Sequence, residues 1–502
     1  MKTLGQILNP LRLTLSKVSL EVAISGLSRD ARTVREGEVF FAIKGATVDS
    51  HSHIEEALKN GAKAVVVENP EAYEKFDRAV LVDNTRSQLA ESASAWYGYP
   101  TDQFVLVGVT GTNGKTTCSY LLREVWENAG FLSGMVGTVE TCIGKNCTPS
   151  QLTTPGPLEL QKLFSEMHLS KVSHAVMEVS SIALDQSRVG GCQFQAAIFT
   201  NFSQDHLDYH GTFESYFQSK LKLFTDFGLP LGVVNLDDAW AKRVLIEGKA
   251  KQWLTFSLKD PSADFYAGSI DCSVSGTRAT VKTPKGNYSY QSILIGDHNL
   301  YNALAVLATF YGLGGSIEQA IKILSFAKGA PGRLERVMSG KTYPGIFVDY
   351  AHSDDALKNV LEALLKLKKN TGRIITVFGC GGDRDKTKRP KMAAVVSSLS
   401  DLTVVTSDNP RTENPEAILE DIKKGLASDC HYHLEVQRKA AIEWALSQAG
   451  PEDLVLIAGK GHETYQIIGT NQFPFDDRKV VRDYYQNVQP SNDSRSGSMD
   501  RR

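Results

Sequence analysis

Residues 104–117 read Phe-Val-Leu-Val-Gly-Val-Thr-Gly-Thr-Asn-Gly-Lys-Thr-Thr, an apolar run that enters a glycine-rich turn and ends in Gly-Lys-Thr-Thr. That order predicts a strand, a tight turn and a helix, the repeating unit of a parallel sheet. Gly111 and Gly114 let backbone N–H groups approach an anion, and the N-terminus of the following helix favours negative charge. In such a loop Lys115 neutralises β- and γ-phosphates and the Thr116 hydroxyl reaches Mg²⁺. The full phosphate-loop pattern needs a glycine where Val109 stands; Gly108 comes one residue too early, leaving the shorter Gly111-x-x-Gly114-Lys115-Thr116. An ordinary strand–turn–helix junction with a capping threonine accounts for the turn, but not for three glycines together with Lys-Thr-Thr.

Around this loop the chain reads as α/β with three domains. Apolar runs at 39–43, 64–67 and 79–82, with helical stretches between, predict a small N-terminal α/β domain over 1–102, closed by a linker at 99–102. The central domain, 103–331, alternates strand candidates at 105–109, 174–177, 196–200 and 231–235 with helices, the mark of a doubly wound parallel sheet. Segments 253–257, 265–270 and 276–281 look like an antiparallel excursion before a helix from Asn299. After Gly329-Ala-Pro-Gly-Arg333, a Rossmann-like C-terminal domain over 332–487 carries strands at 346–349, 374–378, 402–406 and 454–458. Residues 488–502 have no apolar periodicity and read as a disordered tail.

Composition excludes several classes of function. A formal charge of −2 over 502 residues argues against bulk electrostatic binding to nucleic acid or an anionic membrane. No apolar run approaches the ~18–20 residues of a membrane span, and the first residues lack the apolar core of a secretory signal. The seven cysteines are scattered; Cys142 and Cys147 are the nearest pair, without a second pair or histidines at zinc spacing. All seven are expected to be reduced thiols, as in a cytoplasmic protein.

Polar clusters follow the ends of the predicted strands: 111–117, 178–181, 201–208, 349–352, 381–384, 408–411 and 459–463. Open α/β sheets gather ligands at that edge. Glu178 and His206 suit a magnesium site beside a phosphate loop, and equally a helix cap and a surface histidine. Lys220, in a helical stretch, reads by itself as a solvated face residue. Asn299 and Asn302, three residues apart, could cap a helix or hydrogen-bond an adenine, and spacing does not choose between these roles.

Taken in order, Gly-Thr-Asn-Gly-Lys-Thr-Thr at 111–117, Met-Glu178-Val-Ser-Ser, Asp-His206-Leu-Asp, Tyr-x-x-Ser-Lys220, His-Asn299-x-x-Asn302, Pro-Gly-Arg333 and Asp349-Tyr-Ala-His352 resemble the Mur ligases of peptidoglycan synthesis over nearly the whole chain. Within that family the likeness is to the members that add the third peptide residue. The resemblance implies a first domain for the UDP-sugar, a second for ATP and a third for the incoming amino acid. It implies that Gly111, Thr112, Asn113, Gly114, Lys115, Thr116, Thr117, Asn299, Asn302, Arg333 and Asp349 bind ATP. Lys115, Glu178, His206 and a carbamylated Lys220 would be catalytic, and Thr116, Glu178, His206 and Lys220 would hold Mg²⁺. Thr153, Thr154, Ser180, Gln186 and Arg188 would contact UDP-MurNAc-L-Ala-D-Glu.

Arg384, Asp408, Asn409, Pro410, Arg411, Gly459 and Glu463 resemble the contacts of relatives that select meso-diaminopimelate. Physically, that amino acid carries a carboxylate as well as an ammonium at its far end, which an arginine can grip bidentately. The implied reaction is ATP-dependent amide formation through an acyl phosphate, by a cytoplasmic monomer serving cell-wall synthesis, cell shape and division. One departure stands out: the family's N-terminal Asp-Ser-Arg is Asp30-Ala31-Arg32 here, preceded by Ser28-Arg29. Competing readings are an L-lysine-adding relative, a folylpolyglutamate-synthase-like ligase, a non-catalytic nucleotide-binding scaffold and a switch GTPase. The scaffold should have lost Lys115, Glu178, His206 or Lys220, and the GTPase should carry Asn-Lys-x-Asp; neither mark is present.

Overall fold

The computed structural model describes residues 1–45, 48–338, 342–369 and 371–488; the polar tail from 489 onward lies outside them. The chain divides into two compact units. One comprises Met1–Gly268, Thr280–Ser289 and Tyr301–Ser325, the other Ser269–Ala279, Tyr290–Leu300 and Phe326–Arg502.

Besides a short antiparallel pair, Lys2–Thr3 with Ala23–Ile24, two larger sheets lie largely in the first unit. In the N-terminal one, strands Gly26–Ser28, Glu38–Phe41, Ala64–Val67 and Ala79–Val82 run parallel, and Leu13–Ser16 pairs antiparallel at the far edge. Val39, Phe41, Ala64, Val66, Val80 and Val82 pack on one face, and Phe40, Val65, Val67 and Ala79 on the other. Burial on both faces is why these strands read as continuous apolar runs rather than alternating ones. The expected linker forms a packed turn: Pro100–Asp102 is a 3-10 turn with Pro100 and Thr101 buried, and Thr101 Oγ1 accepts from the Gln193 amide at 2.9 Å. A buried proline and a satisfied hydroxyl are signs of a packed turn, which composition does not distinguish from a tether.

The larger sheet is doubly wound. Strand Val105–Thr110 lies between His174–Glu178 and Ala196–Phe199, all parallel, with Leu231–Asn235 and Gln252–Ser257 continuing the same direction. Gln252–Ser257 was expected in an antiparallel excursion; it pairs parallel on both sides, and the helix Ala241–Glu247 supplies the crossover that sets it parallel to Leu231–Asn235. The antiparallel part begins later, where two-residue turns join Phe265–Ser273, Gly276–Thr283 and Gly286–Ser292. On the other edge Ser133–Val136, Glu140–Ile143 and Asn146–Pro149 form a meander that the sequence reading missed. In it Cys142 and Cys147 face each other and are joined as a disulfide, against the expectation that all seven cysteines are reduced. A two-residue turn brings them opposite, a pairing that spacing counts aimed at zinc do not detect.

In the second unit Gly345–Asp349, Leu454–Ala458, Ile374–Phe378, Leu402–Thr406 and Tyr432–Glu435 lie side by side and parallel, with Glu335–Met338 antiparallel at one edge. Ile346, Val348, Ile375, Val377, Val455 and Ile457 pack against Ala441, Ile442 and Ala445, while Phe347, Ile374, Phe378 and Leu456 pack against Leu357, Leu361 and Val396. Helices on both faces leave the C-terminal edge of the strands for polar loops.

Candidate functional site

In the first unit the phosphate loop forms at the end of Val105–Thr110, and the helix Lys115–Asn128 starts at once. Gly111 sits at φ 147° and Gly114 at φ 89°, values that L side chains rarely adopt. The loop is braced from the neighbouring strand end. The Thr112 amide donates to Asn201 O at 2.9 Å, the Asn113 amide to Asn201 Oδ1 at 2.9 Å, and Thr200 Oγ1 donates to Asn113 O at 2.5 Å. Lys115 Nζ donates to Gly111 O at 2.8 Å and to Thr112 O at 2.9 Å, so its ammonium lies over its own loop. Asn302 is buried beside Gly114, and its Oδ1 accepts from Cys118 Sγ at 3.4 Å. Thr117 is buried in the first turn of the helix.

Glu178, the last residue of its strand, is buried and joins the loop to Thr138 and Thr154. Its Oε2 accepts from Thr116 Oγ1 and Thr138 Oγ1, each at 3.0 Å, and Oε1 accepts from the Thr138 amide at 2.8 Å. Thr154 Oγ1 donates to the Glu178 carbonyl at 2.8 Å, Thr153 Oγ1 lies 3.1 Å from Thr138 Oγ1, and the Ser180 amide donates to Thr154 Oγ1 at 3.1 Å. Arg188 Nη1 donates to Thr154 O at 2.8 Å, and its Nη2 holds Gln186 Oε1 at 2.8 Å. Five residues picked from sequence thus form one hydrogen-bonded chain running back to Glu178. Beside it a cleft is lined by Arg29, Arg86, Gln186 and Arg188 with Ile43 and Leu152. Arg29 and Arg86 were not singled out as site residues, and nothing local in the sequence marks them. Arg32 is exposed and paired with Asp30 at 2.7 Å. Ser28 Oγ donates to Asp30 O at 3.1 Å, and Ala31 is buried.

Lys220 is buried. The helix Phe213–Thr225, capped by Thr212 accepting from the Ser215 amide, turns Tyr216, Phe217, Lys220, Leu221 and Phe224 to one side. Lys220 Nζ donates to Gly111 O at 2.9 Å and lies 4.6 Å from the centre of the Tyr216 ring. Burial first, and the Lys115 charge second, push its ammonium well below the usual lysine range. His206 sits at φ 50°, half-exposed, with its Nε2 3.4 Å from Asp205 Oδ2, and partial desolvation lowers its pKa from the ordinary value. Thr116 and Glu178 offer the hard oxygens magnesium prefers. Among the described residues, the one group of three close His, Cys, Asp or Glu ligand atoms is Glu140, Cys142 and Cys147.

In the second unit Asp349 ends its strand, buried, accepting from the Leu334 amide at 2.5 Å and the Ala351 amide at 2.7 Å. Burial raises its pKa against the pull of Arg333, whose guanidinium lies 5.0 Å from the centre of the Tyr350 ring. Asn299 Nδ2 donates to Ile295 O at 2.9 Å. The remaining sequence-picked residues cluster. Asn409 Nδ2 donates to Glu463 Oε2 at 3.0 Å, and its Oδ1 accepts from Lys460 Nζ at 3.1 Å and from the Ile467 amide at 2.9 Å. Lys460 Nζ also meets Glu463 Oε2 at 2.9 Å. Arg411, at φ 51°, donates from Nη1 to Gly382 O at 2.7 Å. A Cβ on Gly381 would stand 3.0 Å from Arg411 Nη1 and 3.7 Å from Arg384 Cγ, so both arginines border one glycine. A Cβ on Gly459, at φ 112°, would crowd Asp408 Oδ2 at 2.6 Å. Pro410 is buried and its carbonyl accepts from the Glu413 amide at 3.1 Å. Sequence reasoning missed Lys460 and the fully buried Arg438–Asp477 pair, in which Arg438 Nη2 also donates to Ala458 O at 2.9 Å, just before Gly459.

A glycine loop at the C-terminal end of a central parallel strand, with a lysine and threonine opening the next helix, defines a nucleotide-binding α/β protein. Family profiles match in chain order: the Mur ligase family catalytic domain over residues 23–97, the Mur ligase middle domain over 109–310 and the Mur ligase glutamate ligase domain over 332–461. The UDP-N-acetylmuramoyl-L-alanyl-D-glutamate–2,6-diaminopimelate ligase of Gloeobacter violaceus is 43% identical over 465 residues, 92% of this chain and 94% of that protein. The ligase of the same name from Listeria monocytogenes is 40% identical over 486 residues, covering 95% and 98%. A solved structure of a ligase of that name superposes with a TM-score of 0.73 at 33% identity, covering 97% of this chain and 99% of the other. The chain belongs to the Mur ligase family. A folylpolyglutamate synthase from Mycobacterium tuberculosis shares the fold, at 18% identity and a TM-score of 0.59.

Proposed function

We propose that this protein is an ATP-dependent acid–amino-acid ligase that joins meso-diaminopimelate to UDP-N-acetylmuramoyl-L-alanyl-D-glutamate. The observation that carries the choice of acceptor is the pairing of Arg384 and Arg411 around Gly381, with the Asn409–Lys460–Glu463 cluster in the same unit. Guanidinium groups suit the distal carboxylate of diaminopimelate, and the Glu463 carboxylate suits its ammonium. L-Lysine has no such carboxylate to offer.

The chain's own residues suggest the chemistry. Lys115 and the amides of 111–116 are proposed to cradle the triphosphate and to stabilise charge as the γ-phosphoryl group passes to the D-glutamate carboxylate. Asn299, Asn302, Arg333 and Asp349 are proposed nucleotide contacts. Thr153, Thr154, Ser180, Gln186 and Arg188, linked by hydrogen bonds to Glu178, are proposed to seat the sugar-dipeptide. The amine of diaminopimelate then attacks the acyl phosphate carbon, phosphate leaves, and the amide forms. Thr116, Glu178, His206 and Lys220 are the residues proposed to hold Mg²⁺, which when bound spreads negative charge from the phosphate oxygens. Lys220 is proposed to serve as its carbamate. Its depressed pKa supports this, because the neutral amine is the form that adds CO₂ with loss of a proton.

Functional domains over 1–102, 103–331 and 332–487, a monomeric state, and cytoplasmic action in cell-wall precursor synthesis, with its consequences for cell shape and division, belong to the same proposal. The test of the acceptor assignment is Arg411→Ala. KM for diaminopimelate should rise at least about tenfold, the loss of one charge-assisted pair, while KM for ATP changes little. Equal rises for both substrates would refute the contact.

A further inference from the structure

The meander on the edge of the central sheet holds a pair of cysteines that the proposed ligation does not use. Cys142 is buried and Cys147 exposed, on adjacent strands in direct register. Arg123 Nη1 lies 3.0 Å from Cys142 Sγ and 3.8 Å from Glu140 Oε1, and its Nη2 donates to Gly144 O at 2.9 Å, in the turn between the strands. A guanidinium beside a sulfur stabilises the thiolate, the form that attacks disulfides. The same cation disfavours a metal ion at the Glu140–Cys142–Cys147 cluster, since it would stand against the ion's own charge. The meander is also tied to the functional site. Thr138, between its first two strands, holds both oxygens of Glu178, and Thr141 Oγ1 meets Ser150 Oγ at 3.1 Å where the chain leaves toward Thr153.

We propose that Cys142 and Cys147 are a reversible thiol–disulfide site that exchanges with low-molecular-weight disulfides and pins the hairpin when oxidised. The exposed Cys147 thiolate attacks one sulfur of a disulfide RSSR, forming a mixed disulfide and releasing one RS⁻. The Cys142 thiolate, held by Arg123, then attacks the Cys147 sulfur, closing the internal bond and releasing the second RS⁻. The two cysteines lose two electrons and two protons, and RSSR is reduced to two RSH. Reduction by a thiol reverses both steps.

The test equilibrates the full-length protein in reduced and oxidised glutathione over a range of ratios, traps free thiols by alkylation and maps peptides by mass. The expected result is a 142–147 link that appears and disappears reversibly with the ratio while Cys118 and Cys192, both buried, stay alkylatable only after unfolding. Cys142→Ser should stop at the mixed disulfide on Cys147. Arg123→Gln should move the pH dependence of ring closure upward by about one unit, a shift that a merely structural arginine would not cause. No internal link at any ratio overturns the proposal. So does protection of both thiols by added Zn²⁺ at micromolar concentration with closure abolished, which would make the cluster a metal site.

Discussion

Replacing Gly114 with alanine separates backbone strain from damage to the phosphate loop. Gly114 sits at φ 89° and Gly98 at φ 80°, so alanine at either position costs about 1–2 kcal/mol of left-handed strain. At Gly98 the new methyl meets nothing within 4 Å, whereas at Gly114 it would stand 2.6 Å from Asn302 Oδ1. Asn302 is buried and that oxygen accepts from Cys118, so displacing it adds about 1–3 kcal/mol for a buried polar group left unpaired. Gly114→Ala should therefore lose about 2–5 kcal/mol against about 1–2 for Gly98→Ala, and both should remain folded. Nucleotide affinity should part more sharply. Shifting the 114–115 amides away from the phosphates forfeits a charge-assisted hydrogen bond of roughly 1.5–3 kcal/mol, or about 10–100-fold in Kd. Titration calorimetry with ATP and Mg²⁺, alongside thermal unfolding of both variants, reads the two effects. Equal ATP affinity in the two variants would refute the placement of the phosphates at this loop.

Lys220→Ala should abolish ligation, and short carboxylates should partly restore it if the lysine acts as a carbamate; restoration by short amines instead would contradict that role. Asp477→Asn leaves Arg438 buried without its countercharge and should destabilise the second unit by about 3–5 kcal/mol, read by urea unfolding. His462 is half-buried, and burial first, then the charges of Arg333, Arg478 and Lys460, lower its pKa to about 4. Below pH ~6.5 the unfolded chain takes up this proton before the folded one. Stability should therefore fall between pH ~6.5 and about 4 and hold steady above, by on the order of 3 kcal/mol for this group. His462→Gln should flatten that limb in a pH series of melting temperatures.

Much of this architecture is legible in the chain because strands buried on both faces announce themselves as apolar runs. Ala64–Val67, Ala79–Val82 and Leu231–Asn235 fall where those runs do. The outer strands Glu140–Ile143 and Asn146–Pro149 and the hairpin Tyr465–Ile468 with Asn471–Pro474 escaped, since strands that are largely exposed carry no such run. Lys220 shows the limit of reading residues singly. A lysine in a helix is normally solvated, yet Tyr216, Phe217, Leu221 and Phe224 place position 220 on the apolar face, and that phase was there to be counted. Thr138, Lys460 and the Arg438–Asp477 pair act through partners 40, 51 and 39 residues away, a relation no local pattern encodes. Arg29 and Arg86 reach the cleft only once two sheets have packed.

The most direct measurement mixes the purified protein with ATP, Mg²⁺ and UDP-N-acetylmuramoyl-L-alanyl-D-glutamate, and offers diaminopimelate or L-lysine in turn. Diaminopimelate should yield ADP, phosphate and the UDP-linked tripeptide in equal amounts, with L-lysine far behind. ADP release without a new amide, or equal use of L-lysine, would contradict the account.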